Sequence, residues 1–267
     1  NLVLIGNLIC SYVMLISFIM QGYGAISITF STLSIFVSYW FAYVFFKDCK
    51  QLETTSVATK WFKAALFFNV ISSLGTFALA YMMATKNIHQ NEYLASIYYY
   101  LHFQYNGWFF FACMGLLLDY LRVTIYSKRI YSQSFVLLFW SCIAGYFLST
   151  LWLDLPLLIY ILTAISAIVQ VVVWYFLFKT ILKENKSIFV TLPNYLKYLI
   201  LFISFALSAK FLLQLGSTVP AISKLAFGFR PIVIAYLHLI LLAIISLFLL
   251  FYIYVNNFIA VNKKTIL

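Results

Sequence analysis

Eight times along this chain an apolar run approaches or exceeds the length that a lipid bilayer demands. A helix needs about 20 predominantly apolar residues to cross ~30 Å of hydrocarbon. The runs are Leu2 to Met20, Ala25 to Phe46, Trp61 to Thr85, Leu94 to Leu118, Phe135 to Leu153, Leu155 to Phe178, Tyr198 to Leu215 and Pro231 to Ile253. Inside lipid, backbone N–H and C=O groups must be paired within the protein, so such runs fold as helices. The expected fold is an all-α, polytopic membrane protein with about eight transmembrane helices.

Composition excludes the soluble alternative. Hydrophobic residues make up 65% of the chain and charged residues 9%, whereas a soluble domain carries about 25% charged residues to meet water. The net charge of +11 does not point to nucleic acid, because the basic residues fall in the short segments between apolar runs. Lys47, Lys50, Lys60 and Lys63 follow the second run; Arg122, Lys128 and Arg129 the fourth; Lys179, Lys183, Lys186 and Lys197 the sixth; Lys263 and Lys264 the eighth. The opposite connections hold Lys86, Lys224 and Arg230, and Lys210 sits inside the seventh run. By the positive-inside rule both termini are expected in the cytoplasm, in a bacterial inner membrane.

Cys10, Cys49, Cys113 and Cys142 show no CxxC spacing, so neither a disulfide framework nor a cysteine metal site is expected. The first run lacks a basic leader and a small-residue cleavage site, and it reads as a span rather than a signal peptide. The outer connection from Gly216 to Arg230 contains Pro220 and two basic residues and reads as a plain loop, with an interfacial lid as the alternative.

Two halves, 1–130 and 131–267, follow the same plan with an offset of roughly 132 to 136 residues. Each runs as helix, tight outer turn (Gln21 to Gly24; Asp154 to Pro156), helix, Lys-rich inner loop, helix, outer loop, helix. The fourth helix of each carries one tripeptide, Tyr100-Leu101-His102 and Tyr236-Leu237-His238. An even number of crossings per half gives two repeats of the same orientation, related by an axis along the membrane normal.

The two histidines are the candidate site. Each is about eight residues, ~12 Å, from the outer end of its helix. An imidazole in hydrocarbon needs partners, and ionisable residues in spans usually face the bundle interior or a cavity. His102 has Asn106 one turn away, with Gln104 and Tyr105 nearby; His238 is flanked at helical spacing by Ile234, Ala235, Leu241 and Leu242, so its side-chain partner must come from another helix. His102 itself, Lys210 with Gln214, and Arg230 are the candidates. Two imidazoles at one depth suit axial ligation of a haem, or nitrogen ligation of copper, zinc or iron, and Lys210, Lys224 and Arg230 could pair with propionates. With no third ligand, haem is favoured over a bare ion. The bland reading is that the histidines hydrogen-bond each other or backbone carbonyls and hold helices together; a third is transport with histidine as proton carrier. His89, in an outer loop, reads as exposed.

The architecture is similar to haem A synthase, which also builds two four-helix halves and ligates haem through histidines. The likeness covers topology; that enzyme's halves each supply a histidine pair and a catalytic glutamate, whereas here each half has one transmembrane histidine and no Glu lies within a span. The sequence therefore favours a redox-type membrane subunit with a haem or metal site and an electron-transfer partner at the outer face. Beside it stand an accessory subunit of a membrane complex and a small-molecule or ion transporter. The remaining polar positions read as packing: the Ser27, Ser31, Ser34 and Ser38 stripe, Ser166 with Gln170, Asn69, and an Asp119–Arg122 ion pair. Asp154 reads as a turn or N-cap residue.

Overall fold

The computed structural model describes residues 2–22, 24–51, 56–121 and 128–259, and among them every regular element is helical. The Asp119–Arg122 pair lies outside the described residues on its Arg122 side. We number the helices α1 (Leu2–Gln21), α2 (Ala25–Gln51), α3 (Val57–Thr85), α4 (90–120), α5 (128–150), α6 (Leu157–Glu184), α7 (Lys186–Thr191), α8 (Asn194–Gly216), α9 (Pro220–Gly228) and α10 (Arg230–Val255). Seven helices are long and apolar enough to cross a membrane: α1, α2, α3, α5, α6, α8 and α10. The chain is an integral, multi-pass membrane protein. The fourth run, Leu94 to Leu118, is also helical, but the polar stretch around Gln104 and Asn106 leaves it less apolar than the other seven.

Local chemistry places the breaks. All four prolines stand at helix starts: Pro156 and Pro193 as N-caps of α6 and α8, and Pro220 and Pro231 in the first turns of α9 and α10. There a missing N–H goes unnoticed, because the first N–H groups of a helix have no intrahelical acceptor. Ser56 caps α3 by accepting the Thr59 N–H at 3.1 Å. The α1–α2 turn passes through Gly22 at φ 62°, a conformation that costs glycine little. The Ser27 hydroxyl closes that turn, accepting from the Gly24 N–H at 2.9 Å and donating to the Gly22 carbonyl at 2.7 Å.

Burial divides the molecule. In α1 only Cys10 and Ser17 are buried, and in α2 only Ser27, Ala42 and Cys49; these two helices pack on each other and touch the rest through α3. The serine stripe of α2 packs as read: Ser31, Ser34 and Ser38 donate to carbonyls three or four residues back, and Ser31 also reaches Met14 Sδ. The core runs through α3, α4, α5, α6, α8 and α10, where Trp61, Phe68, Phe111, Leu118, Leu177, Leu207, Phe211 and Phe248 form one apolar cluster spanning both halves. Asp154 is exposed and Pro156 takes the N-cap of α6, so Asp154 serves the turn.

Candidate functional site

Helix α4 is α-helical over Gln90–His102, π-helical over Phe103–Phe109 and α-helical again from Phe110 to Tyr120. Helix α10 does the same: Arg230–His238 is α-helical, Leu239–Ser246 is π-helical, and Leu247–Val255 returns to α. Each π stretch begins at the residue after the histidine, and the two stretches touch. Wide i to i+5 turns of this kind recur at functional sites.

In α4 the π stretch lies close against α3. A Cβ added to Gly107 would meet Phe68 Cβ at 2.6 Å, so the two helices approach to a distance that only glycine permits there. Gln104 is buried and turned into α3, donating from Nε2 to Asn69 Oδ1 at 3.0 Å and to Ser72 Oγ at 2.6 Å. Sequence reasoning offered Gln104 as a ligand beside His102; its amide nitrogen is instead committed to an interhelical bond.

His102 is 3% exposed, and both ring nitrogens have partners. Nε2 lies 2.8 Å from the Cys142 carbonyl, and because a carbonyl can only accept, that nitrogen carries the proton. Nδ1 is then the acceptor for Asn106 Nδ2 at 3.2 Å, the local pairing the sequence suggested. The Cys142 carbonyl is available to a side chain because α5 tightens just beyond it, from α-helix at Lys128–Ala144 to a 3₁₀ turn at Gly145–Thr150. The preceding carbonyl, of Ser141, accepts from Gln170 Nε2 at 3.0 Å, confirming an interhelical role for that glutamine. His102 and Gln170 thus pair two carbonyls at one helix irregularity.

His238 stands differently. It is exposed on the outside of α10, and its Nδ1 donates to the Ile234 carbonyl of its own helix at 2.8 Å. The sequence contained that partner, but a search among side chains could not find a backbone acceptor one turn back. The α10 side chain that shares a wall with His102 is Tyr236, two residues earlier and hence on the opposite face.

That wall belongs to a cavity of about 360 Å³ between α4, α5, α8 and α10. Helix α9 contributes Ile222, Leu225, Ala226 and Phe227 to it, with Phe227 edge-on to Tyr98 at 6.0 Å between ring centroids. The connection from Gly216 to Arg230, expected as a plain loop, therefore carries a nine-residue helix that helps enclose the cavity. The Tyr160 hydroxyl bonds to the Thr218 carbonyl and holds the approach to α9. The lining is mostly aliphatic and aromatic. Its polar members are His102, Asn106, Gln214, Tyr236, Ser149, Ser217 and the hydroxyls of Tyr98 and Tyr105.

Five buried side-chain polar atoms lack a hydrogen-bond partner among the described residues: Trp61 Nε1, Asn106 Oδ1, Gln214 Oε1, Ser223 Oγ and the Tyr236 hydroxyl. Three of them, on Asn106, Gln214 and Tyr236, belong to residues that line this one cavity. A buried unpaired polar atom costs about 1–3 kcal/mol, so their concentration at one place is the most informative feature of the region. Tyr236 was quoted at the sequence level only within the tripeptide; its hydroxyl was not singled out because nothing in an apolar helix says which face it turns inward.

Comparison with family models, with curated proteins and with solved structures finds no match to this chain.

The other expected ligands separate. Lys210 is buried in α8 and lines a second, smaller cavity, while Lys224 and Arg230 are exposed. His89 is exposed, as expected. Among the described residues no three His, Cys, Asp or Glu side chains group as a metal site.

Proposed function

We propose that this protein binds an uncharged amphiphile within the membrane: an apolar body whose head carries a hydrogen-bonding group such as a hydroxyl or an amide. The clustering of unpaired Asn106 Oδ1, Gln214 Oε1 and Tyr236 hydroxyl on one apolar cavity carries this reading. A head that donates to the two amide oxygens and exchanges a bond with the tyrosine would satisfy all three. The volume, about 360 Å³, lies in the ~300–1,000 Å³ range of small-molecule sites. Every Lys and Arg, Asp and Glu is missing from the described lining, which selects against a charged head.

The same reading takes residues 90–120 as an eighth crossing. Its polar groups are turned into the protein: Gln104 to α3 and His102 to α5. A span surrounded by protein needs less apolar surface than one that faces lipid. With eight crossings the positive-inside rule puts both termini in the cytoplasm and the cavity near the outer face, open to molecules of the outer leaflet. The repeated Tyr-Leu-His and the π stretch that follows it in each half support an ancestral duplication.

The test uses the full chain in nanodiscs and a brominated dodecanol, whose bromine quenches nearby tryptophan. Trp152 sits 6.4 Å from the cavity residue Tyr98 between ring centroids. Saturable quenching is expected, weaker with the brominated dodecanoic acid, and reduced at least tenfold in apparent affinity by Asn106→Leu with Tyr236→Phe. Quenching that never saturates, or that the double variant leaves unchanged, would remove the proposal.

A second reading keeps the two histidines as haem or metal ligands in a redox-type subunit, favoured by their matching positions ahead of touching π stretches. It requires His102 to release the Cys142 carbonyl and His238 to turn inward. A Soret band lost in both His102→Ala and His238→Ala would establish it. A colourless protein reconstituted with haem would end it.

A further inference from the structure

We propose that Lys210 is a carbonyl-capturing amine, which condenses with an aldehyde or ketone carried on an apolar chain. Of the Lys, Arg, Asp and Glu residues described, Lys210 alone is buried, at 3% exposure. Its Nζ lies 4.1 Å from the Phe211 ring centroid and 5.7 Å from that of Phe110. No carboxylate and no hydrogen-bond acceptor among the described residues reaches it. Burying a cationic side chain without a counter-ion is expensive, and two aromatic faces return only about 0.5–2 kcal/mol. A lysine retained in such a place calls for a use. An amine desolvated among apolar side chains is the setting in which lysine acts as a nucleophile toward carbonyls.

The surroundings supply room and access. Lys210 lines a cavity of about 50 Å³, above the ~10–15 Å³ that one water requires. This cavity shares Tyr105 and Ile240 with the large one, and Gln214, one turn along α8, lines the large one. An apolar chain lying in the large cavity can therefore direct its end past Tyr105 to the amine. Tyr105 and Ser204 place hydroxyls on the small cavity's wall, where proton transfer is needed. The nitrogen lone pair attacks the carbonyl carbon and a C–N bond forms. The carbonyl oxygen leaves as water with the two amine hydrogens, giving the imine C=N–Lys210. No oxidant or reductant takes part.

This inference does not depend on the head-group bonds proposed above, and its test separates the two. The full chain in nanodiscs is incubated with decanal, reduced with borohydride, digested and mapped by mass spectrometry. A decyl group is expected on Lys210 at least fivefold more often than on exposed Lys86 or Lys224, and the water-soluble propanal should reverse that preference. Lys210→Arg should lose the buried adduct while loop labelling continues, and Asn106→Leu with Tyr236→Phe should keep it. Labelling of Lys210 no greater than that of Lys86 and Lys224 would overturn the proposal, and needs no variant to fold.

Discussion

The same three residues, Tyr-Leu-His, sit in α4 and α10 and lead into the same kind of π stretch, yet the two helices turn opposite faces to the bundle. In α4 the histidine is buried and Tyr100 is 37% exposed. In α10 the histidine is exposed and the hydroxyl of Tyr236 is buried. Residues two apart on a helix point ~200° from each other, so one helix is rotated by about half a turn relative to the other. Shared sequence fixed the conformation and the depth of the tripeptide, while the neighbours decided which side of it became interior. The buried histidine gained two partners, and the buried tyrosine was left with an unpaired hydroxyl beside a cavity.

The comparison presumes that both helices cross the membrane in the same sense, and topology is the all-or-none way to break it. Reporter tags at Lys50, Lys128 and Lys186 should read cytoplasmic, and tags near His89 and Ser223 should read external. His89 and Lys128 on one side would mean that residues 90–120 do not cross. The next largest effect should come from His102→Ala, which strands the Cys142 carbonyl and Asn106 Nδ2 and opens a void. A loss of about 3 kcal/mol or more is expected in denaturation of the solubilised protein. Gly107→Ala should lose about 1–3 kcal/mol, because its Cβ would press on Phe68. A stable variant there would show that α3 and the π stretch can separate, and would weaken the account of why α4 holds its histidine inward. The smallest effect belongs to His238→Ala, within about 0.5 kcal/mol, since exposure and a bond to its own helix leave little to lose. Equal losses at His102 and His238 would erase the contrast.

The helices and most of their ends were legible because lipid imposes a length and proline and glycine mark the breaks. Asn106 beside His102 was legible because i to i+4 neighbours meet on any helix. Cys142 was not, since what binds His102 is a backbone carbonyl, made available by a switch from α to 3₁₀ geometry that no side chain announces. Helix α9 was hidden for a related reason: nine residues starting at Pro220 are too short for apolar periodicity to rise above that of a loop. The orientation of α10 was the furthest out of reach. Its apolar residues go all the way round, so the pattern that normally tells inside from outside is absent.

The π stretches also have a meaning in numbers of residues. Each turn of i to i+5 bonds amounts to one amino acid more than the α-helical path needs, as if a single codon had been inserted after each histidine. Removing one residue from Leu239–Ser246 would leave the run apolar and spanning, yet it would swing everything beyond it by ~100°. Phe248 and Phe251, now inside the core, would be carried off toward lipid. What these two stretches store is therefore the angular setting between the ends of a helix, a quantity that hydropathy does not record and that a single deletion would reset.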